Sequence, residues 1–360
     1  MRTLSPIFAI LLLLFGNEVA ATPSIGGQSG ALTHGSAVTI TGNGFTSKSP
    51  ASPVAWDNFE DGSVGTTATV GSWSDINSLS IRHNTLNRNA NSSYSAGSIF
   101  TGSWPTYSNA YLTGGSNATT WYVQYWLRLG PNFNWSTNID NSRGNVKFFR
   151  MWDTGPDSKN FVAAFHQGDH VCAVVEQCTT AGPTCYMYDY NPTTELDNNQ
   201  WNLLQFEYRE SSAADTADGV WRMWSNGQLI YNYTNLTTKC SGHTSNSRPF
   251  IVGLFDSHDS GGTTSDVYLD DAYIDNKWNR VELANSATYG SATIREIQPP
   301  TSWSDTSITV TLNIGALTGT AYLFVTDSTG ARNATGYAVT LGAASDTTAP
   351  TAPSIKMRPA

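Results

Sequence analysis

The segment PSIGGQSGALTHGSAVTITGNGF, Pro23 to Phe45, holds two β-rich runs separated by glycine-containing turns. In its second run Val38 and Ile40 alternate with threonines, the period-two pattern of a strand with one buried face. Two strands alone bury too little to be stable. Their complement lies near the other end of the chain, in TSWSDTSITVTLNIGALTGTAYLFVTDSTGARNATGYAVTL, Thr301 to Leu341, where short alternating runs return around the turn STGA, Ser328 to Ala331. Neither piece folds by itself. The sequence therefore predicts one small sandwich made of 22–55 plus 280–343, interrupted by an insert at 56–279.

Both pieces resemble the IPT/TIG immunoglobulin-like family. The first carries Gly35, then Val38, Ile40 and Gly42 in a V-x-I-x-G strand, then Gly44 and Phe45 in G-x-G-F; the second carries Trp-Ser-Asp-x-x-Ile-x-Val and a closing hairpin. The insert opens on WDNFEDG and closes on VYLDDAYIDN. It contains long aromatic strands and the hairpin DGVWRMWSNGQLIY, with its turn at Ser225 to Gln228. It resembles the concanavalin-like or laminin-G-like jelly rolls of lectins, carbohydrate-binding modules and some polysaccharide lyases. Helical periodicity is nearly absent throughout, so the expected fold class is all-β: two sandwiches, a jelly roll set into an Ig-like domain.

The N-terminus predicts export. MRTLSPIFAILLLLFGNEVAA pairs Arg2 with an apolar run and ends on small residues, the form of a signal peptide at 1–21. The run is short for a membrane span and no later one is longer. The net charge of −9 and the lack of a basic run argue against nucleic acid. In an exported chain Cys172, Cys178, Cys185 and Cys240 point to two disulfides, with three pairings open. Six N-x-S/T sequons, at Asn91, Asn117, Asn134, Asn232, Asn235 and Asn333, permit glycosylation on exposed loops.

Three features bear on chemistry. Strand alternation suggests a concave face carrying Arg150, Trp152, His166, Tyr188, Arg222 and Trp224, on which aromatic rings stack against sugars and arginines pair with uronate carboxylates. His166, Tyr188 and Arg150 would supply the base and the cation of a lyase. The acidic ends of the insert, Asp57 and Glu60 at its start and Asp270 and Asp271 at its close, suggest a structural calcium site. Such a site is common where the first and last strands of such jelly rolls meet. Finally, the tail 344–360 begins as a Pro-rich linker and ends in SIKMR, where Ile355 and Met357 share one face. That strand suits donation to the edge of a neighbouring copy, head to tail. The leading expectation is a secreted, non-enzymatic structural protein of the cell exterior, adhesive or filament-forming. A carbohydrate-binding protein is the alternative and a polysaccharide lyase the second alternative.

Overall fold

Val38 and Ile40 are fully buried because the far end of the chain covers them. In the computed structural model Ala37–Asn43 pairs antiparallel with Ser307–Thr311, Ile40 opposite Ile308 and Val38 opposite Val310. The structure describes residues 21–66, 73–76, 82–101, 109–112, 118–131, 146–153, 160–167, 170–177, 185–191, 196–239, 247–251 and 264–342. The first sheet runs Ser24–Ser29, Ala37–Asn43, Ser307–Thr311, Pro300–Trp303. A second runs Arg295–Gln298, Arg280–Ala284, Thr320–Thr326, Tyr337–Thr340. Leu32, Phe45, Val281, Leu283, Leu323 and Val325 share one core with the strands above. Gly42 belongs to this packing: a Cβ there would lie 2.0 Å from the Ser24 carbonyl oxygen.

The intervening chain builds two larger sheets. The seven-stranded sheet runs Cys185–Asn191, His170–Gln177, Asn160–Gln167, Val146–Asp153, Ser247–Ile251, Asn109–Leu112, Trp73–Ile76. The eight-stranded sheet runs Gln228–Leu236, Gly219–Ser225, Trp201–Arg209, Thr120–Leu129, Thr264–Asp275, Ser95–Thr101, Arg82–Asn84, with Ala55–Asp57 also pairing Thr264–Asp275. Phe148, Phe149 and Met151 of the first share one core with the second. Phe149 lies parallel to Phe206 with ring centroids 3.9 Å apart, and Trp121, Tyr125, Met151, Tyr208 and Met223 fill the layer. The expected SNGQ turn is present: Ser225 pairs Gln228, and Asn226 and Gly227 take φ of 48° and 80°, the left-handed pair such a two-residue turn requires. The all-β expectation holds, and the helical content of the described residues is one 3-10 turn, Tyr289–Ser291.

The outer face of the eight-stranded sheet is covered. Arg280–Ala284 is buried along its whole length, because its two sides serve two neighbours. Val281 and Leu283 face their own core, while Arg280 and Glu282 meet Glu207 and Gln205 of Trp201–Arg209. Trp278 and Ile297 pack beside them on Tyr122, Val220 and Tyr273, and the Trp278 indole N–H donates to the Trp121 carbonyl at 3.0 Å.

Candidate functional site

The six residues expected on one face divide between two sheets. Arg150, Trp152, His166 and Tyr188 belong to the seven-stranded sheet; Arg222 and Trp224 belong to the other. Cross-strand partners share a face and successive rows alternate. One row of the seven-stranded sheet reads Tyr188, Val174, Ala163, Arg150, Phe250, Tyr111. Trp152, two residues along from Arg150, pairs with Arg248 on the same side. Tyr186 and Tyr190 flank Tyr188 at the same period. On Val146–Asp153 itself Phe148, Phe149 and Met151 are all buried in the core, the strand being irregular at Phe148, which the pairing with Asn160–Gln167 skips. His166 is three residues beyond Ala163 with regular pairing to Val171. Its row, with Val171 and Val146, is a different one from that of Arg150 and Tyr188.

Arg222 and Trp224 are corrected for a different reason: the small sandwich covers their face. Trp224 is 8% exposed. Arg222 Nη1 donates to Glu207 Oε2 at 2.9 Å and its Nε to Asn232 Oδ1, also at 2.9 Å. They border a buried polar network between the two sandwiches. Glu207 Oε1 accepts from Arg280 Nη2 at 2.9 Å, and Arg280 Nε donates to Glu282 Oε2 at 2.9 Å. Gln205 donates to Glu282 at 2.7 Å and accepts from Arg295 Nη1 at 2.9 Å. The Arg280 guanidinium lies 3.9 Å from the Tyr122 ring centroid. Burial alone would push the Glu282 carboxyl up, but Arg280, Arg295 and Arg332 outweigh it and hold the group below its ordinary range. Glu207, Arg280 and Glu282 each meet an opposite charge, and Arg295 bonds Gln205 and the Gly227 and Tyr289 carbonyls, so the network fixes orientation.

The acidic ends of the insert do come together, as the pairing of Asp57 with Ala272 shows, but around an arginine. Thr264–Asp275 carries a bulge after Asp270, where Asp271 takes a φ of 47°. A regular strand would send these two carboxylates to opposite faces; the bulge lets both reach Arg88. Arg88 Nε lies 3.6 Å from Asp270 Oδ2, Nη2 bonds Asp271 Oδ2, and Nη1 lies 2.8 Å from Glu296 Oε1. Asn313 also donates to Asp271 at 3.1 Å, and the guanidinium sits over the Trp126 ring. Glu60 Oε1 accepts the Ser93 and Tyr94 backbone N–H groups at 2.8 and 3.0 Å, and Asp57 Oδ1 that of Phe59 at 2.7 Å. One oxygen each of Asp57, Glu60 and Asp271 is thus engaged by protein donors. Among the described residues, no three His, Cys, Asp or Glu side chains are grouped to hold a metal ion.

Asn91, Asn232 and Asn235 are exposed. Asn333 is not: it is 6% exposed, its Oδ1 accepts the Val325 N–H, and its Nδ2 donates to the carbonyls of Leu323 and Thr335. A buried amide so engaged is a structural clamp, which corrects its place among the glycosylation candidates. Cys172 pairs Tyr190 and Cys185 pairs Gln177. The two are thus five positions apart along the strands, roughly 16 Å, too far for a disulfide. This removes one of the three pairings. Asn117, Asn134, Cys178, Cys240, Ile355, Met357 and the segment 1–20 lie outside the described residues.

No protein-family model matches the chain, and no curated protein matches it. Solved structures show similarity at low identity. An endo-beta-1,4-glucuronan lyase from the fungus Trichoderma reesei is 11% identical, with a TM-score of 0.43, over 62% of this chain and 95% of that one. A PL-14 alginate lyase from Aplysia kurodai is 12% identical, TM-score 0.37, over 56% and 86%. A carbohydrate esterase from the Shiga toxin-encoding bacteriophage phi24B is 10% identical, TM-score 0.37, over 62% and 97%.

Proposed function

We propose that the protein is exported and binds an acidic polysaccharide along the outer face of the seven-stranded sheet. The register of that sheet carries the reading. Cross-strand pairing lines up Tyr188, Arg150, Phe250 and Tyr111 in one row, and Tyr186, Tyr190, Trp152 and Arg248 stand two residues from that row on their strands. Flat aromatic side chains suit the faces of pyranose rings, and guanidinium forks suit uronate carboxylates. The two arginines would draw the uronate carboxylates, while Glu176, paired with Tyr186, weakens that pull at one end of the row.

Spacing favours binding over elimination. Tyr188 and Arg150 share a row across three strand intervals, roughly 14 Å. On this reading they address neighbouring sugars of one chain, whereas a lyase needs its base and its cation at a single ring. Isothermal titration with alginate or polygalacturonate against a neutral β-glucan tests the reading. The expected outcome is binding of the uronate polymers alone, weakening with salt. Arg150→Ala should lower affinity roughly tenfold or more, from the loss of a hydrogen bond to a charged group worth about 1.5–3 kcal/mol. Equal binding of the neutral glucan, or none of either polymer, overturns it. Absorbance from unsaturated uronates during the titration would reassign the face to a lyase.

A further inference from the structure

Lys48 lies near the crossing from the small sandwich into the large one, and its side chain is completely buried. Its Nζ is 2.5 Å from Oδ2 of Asp275, whose side chain is 2% exposed. Asp275 ends the strand Thr264–Asp275, just before the chain returns to the small sandwich. The Tyr273 hydroxyl touches both: it donates to Asp275 Oδ2 at 2.9 Å and accepts from Lys48 Nζ at 3.2 Å. The Trp303 and Tyr273 rings stand 5.4 and 5.9 Å from the amine. The amine and the acid meet in an aromatic pocket, with Lys277 the further charge that acts on both.

Such a pair has an alternative to remaining ionic. Two opposite charges held away from water carry a desolvation cost that their attraction recovers only in part. Burial pulls the Lys48 amine below its ordinary value and pushes the Asp275 carboxyl above its own, each shift opposed by the partner. Both shifts favour a neutral amine facing a neutral acid. Contact between nucleophile and acid, fixed by the fold, removes most of the entropic barrier to their reaction.

We propose that Lys48 and Asp275 condense into an intramolecular isopeptide bond that covalently ties the segment leading into the insert to the insert's last strand. The Nζ lone pair attacks Asp275 Cγ, the Nζ–Cγ bond forms, and one Cγ–O bond breaks. The departing oxygen leaves as water, carrying the carboxyl proton and one amine proton. Tyr273 is placed to relay that second proton, since its hydroxyl bonds both Nζ and Oδ2. Nothing is oxidised or reduced, and no co-reactant is needed. The product is a neutral amide in a pocket that disfavours both charges.

Peptide mapping of the full-length protein, deglycosylated, reduced and denatured, tests this. Trypsin should fail to cut after Lys48. Tandem mass spectrometry should find a branched peptide joining the segments around Lys48 and Asp275, lighter than their sum by one water. In Lys48→Arg, which keeps the cation but cannot form the bond, cleavage at position 48 should return and the branched peptide should vanish. Efficient cleavage after Lys48 in the unaltered protein, with Asp275 in a linear peptide of full mass, leaves only an ion pair and overturns the proposal. So does a missing water that persists in Lys48→Arg.

Discussion

Arg88 shows how much one side chain holds. It is the shared counter-ion of Asp270, Asp271 and Glu296. Truncating it leaves three buried carboxylates without that charge, so Arg88→Ala should cost about 3–5 kcal/mol in a urea melt. A loss below 1 kcal/mol would mean that the site relaxes or admits a replacement cation. The pH dependence of the same site has a defined sign. Burial, with Asp271 beside it, pushes the Asp270 carboxyl well above its ordinary value of 3.8. The folded state holds this proton more tightly than the unfolded chain. The stability it contributes is therefore fully present below pH 3.8 and is lost as pH rises through the raised value. Asp270→Asn cannot titrate, so its stability relative to the unaltered protein should improve as pH rises from about 4 to neutrality. Parallel urea midpoints across that range would contradict this assignment.

At the scale of elements, the turn Asn226-Gly227 does two jobs. It closes the hairpin of Gly219–Ser225 and Gln228–Leu236, and its Gly227 carbonyl accepts from Arg295 Nη2 at 2.8 Å. Gly227 has a φ of 80°, and a Cβ there would stand 1.9 Å from the Ala292 carbonyl oxygen. Gly227→Ala should therefore destabilise by more than the roughly 1–2 kcal/mol of a left-handed alanine, with thermal melting as the readout; a loss smaller than that would show that the turn is not pressed against the small sandwich. This turn was legible in SNGQ, because two-residue hairpin chemistry is local. Membership of a sheet was not legible. Arg222 and Trp224 have the composition of a binding face, yet long-range pairing puts them under another sheet. Nor was Arg88: it comes from a polar loop, LNRNANSS, with no periodicity to mark it. The acidic ends were visible as a cluster, but the bulge that aims Asp270 and Asp271 at one guanidinium is a product of tertiary packing. The same holds for Asn333, whose sequon hides a buried clamp.

Over the whole molecule, the arrangement has a direction. Strands from the two ends of the chain pair with each other, and the sandwich they form packs on one face of the larger one through Arg280, Glu282, Arg295 and Trp278. One large sheet is thereby spent on contact within the chain. The other is the sheet whose register lines up Tyr188 and Arg150 in one row. The functional claim is that this sheet, and not its partner, receives a polyuronate. Hydrogen–deuterium exchange of the full-length protein with and without a uronate oligosaccharide reads this strand by strand. The account predicts added protection in 146–153, 170–177, 185–191 and 247–251, with no change in 201–209 and 219–225. Protection confined to the eight-stranded sheet, or none anywhere at saturating oligosaccharide, would contradict it.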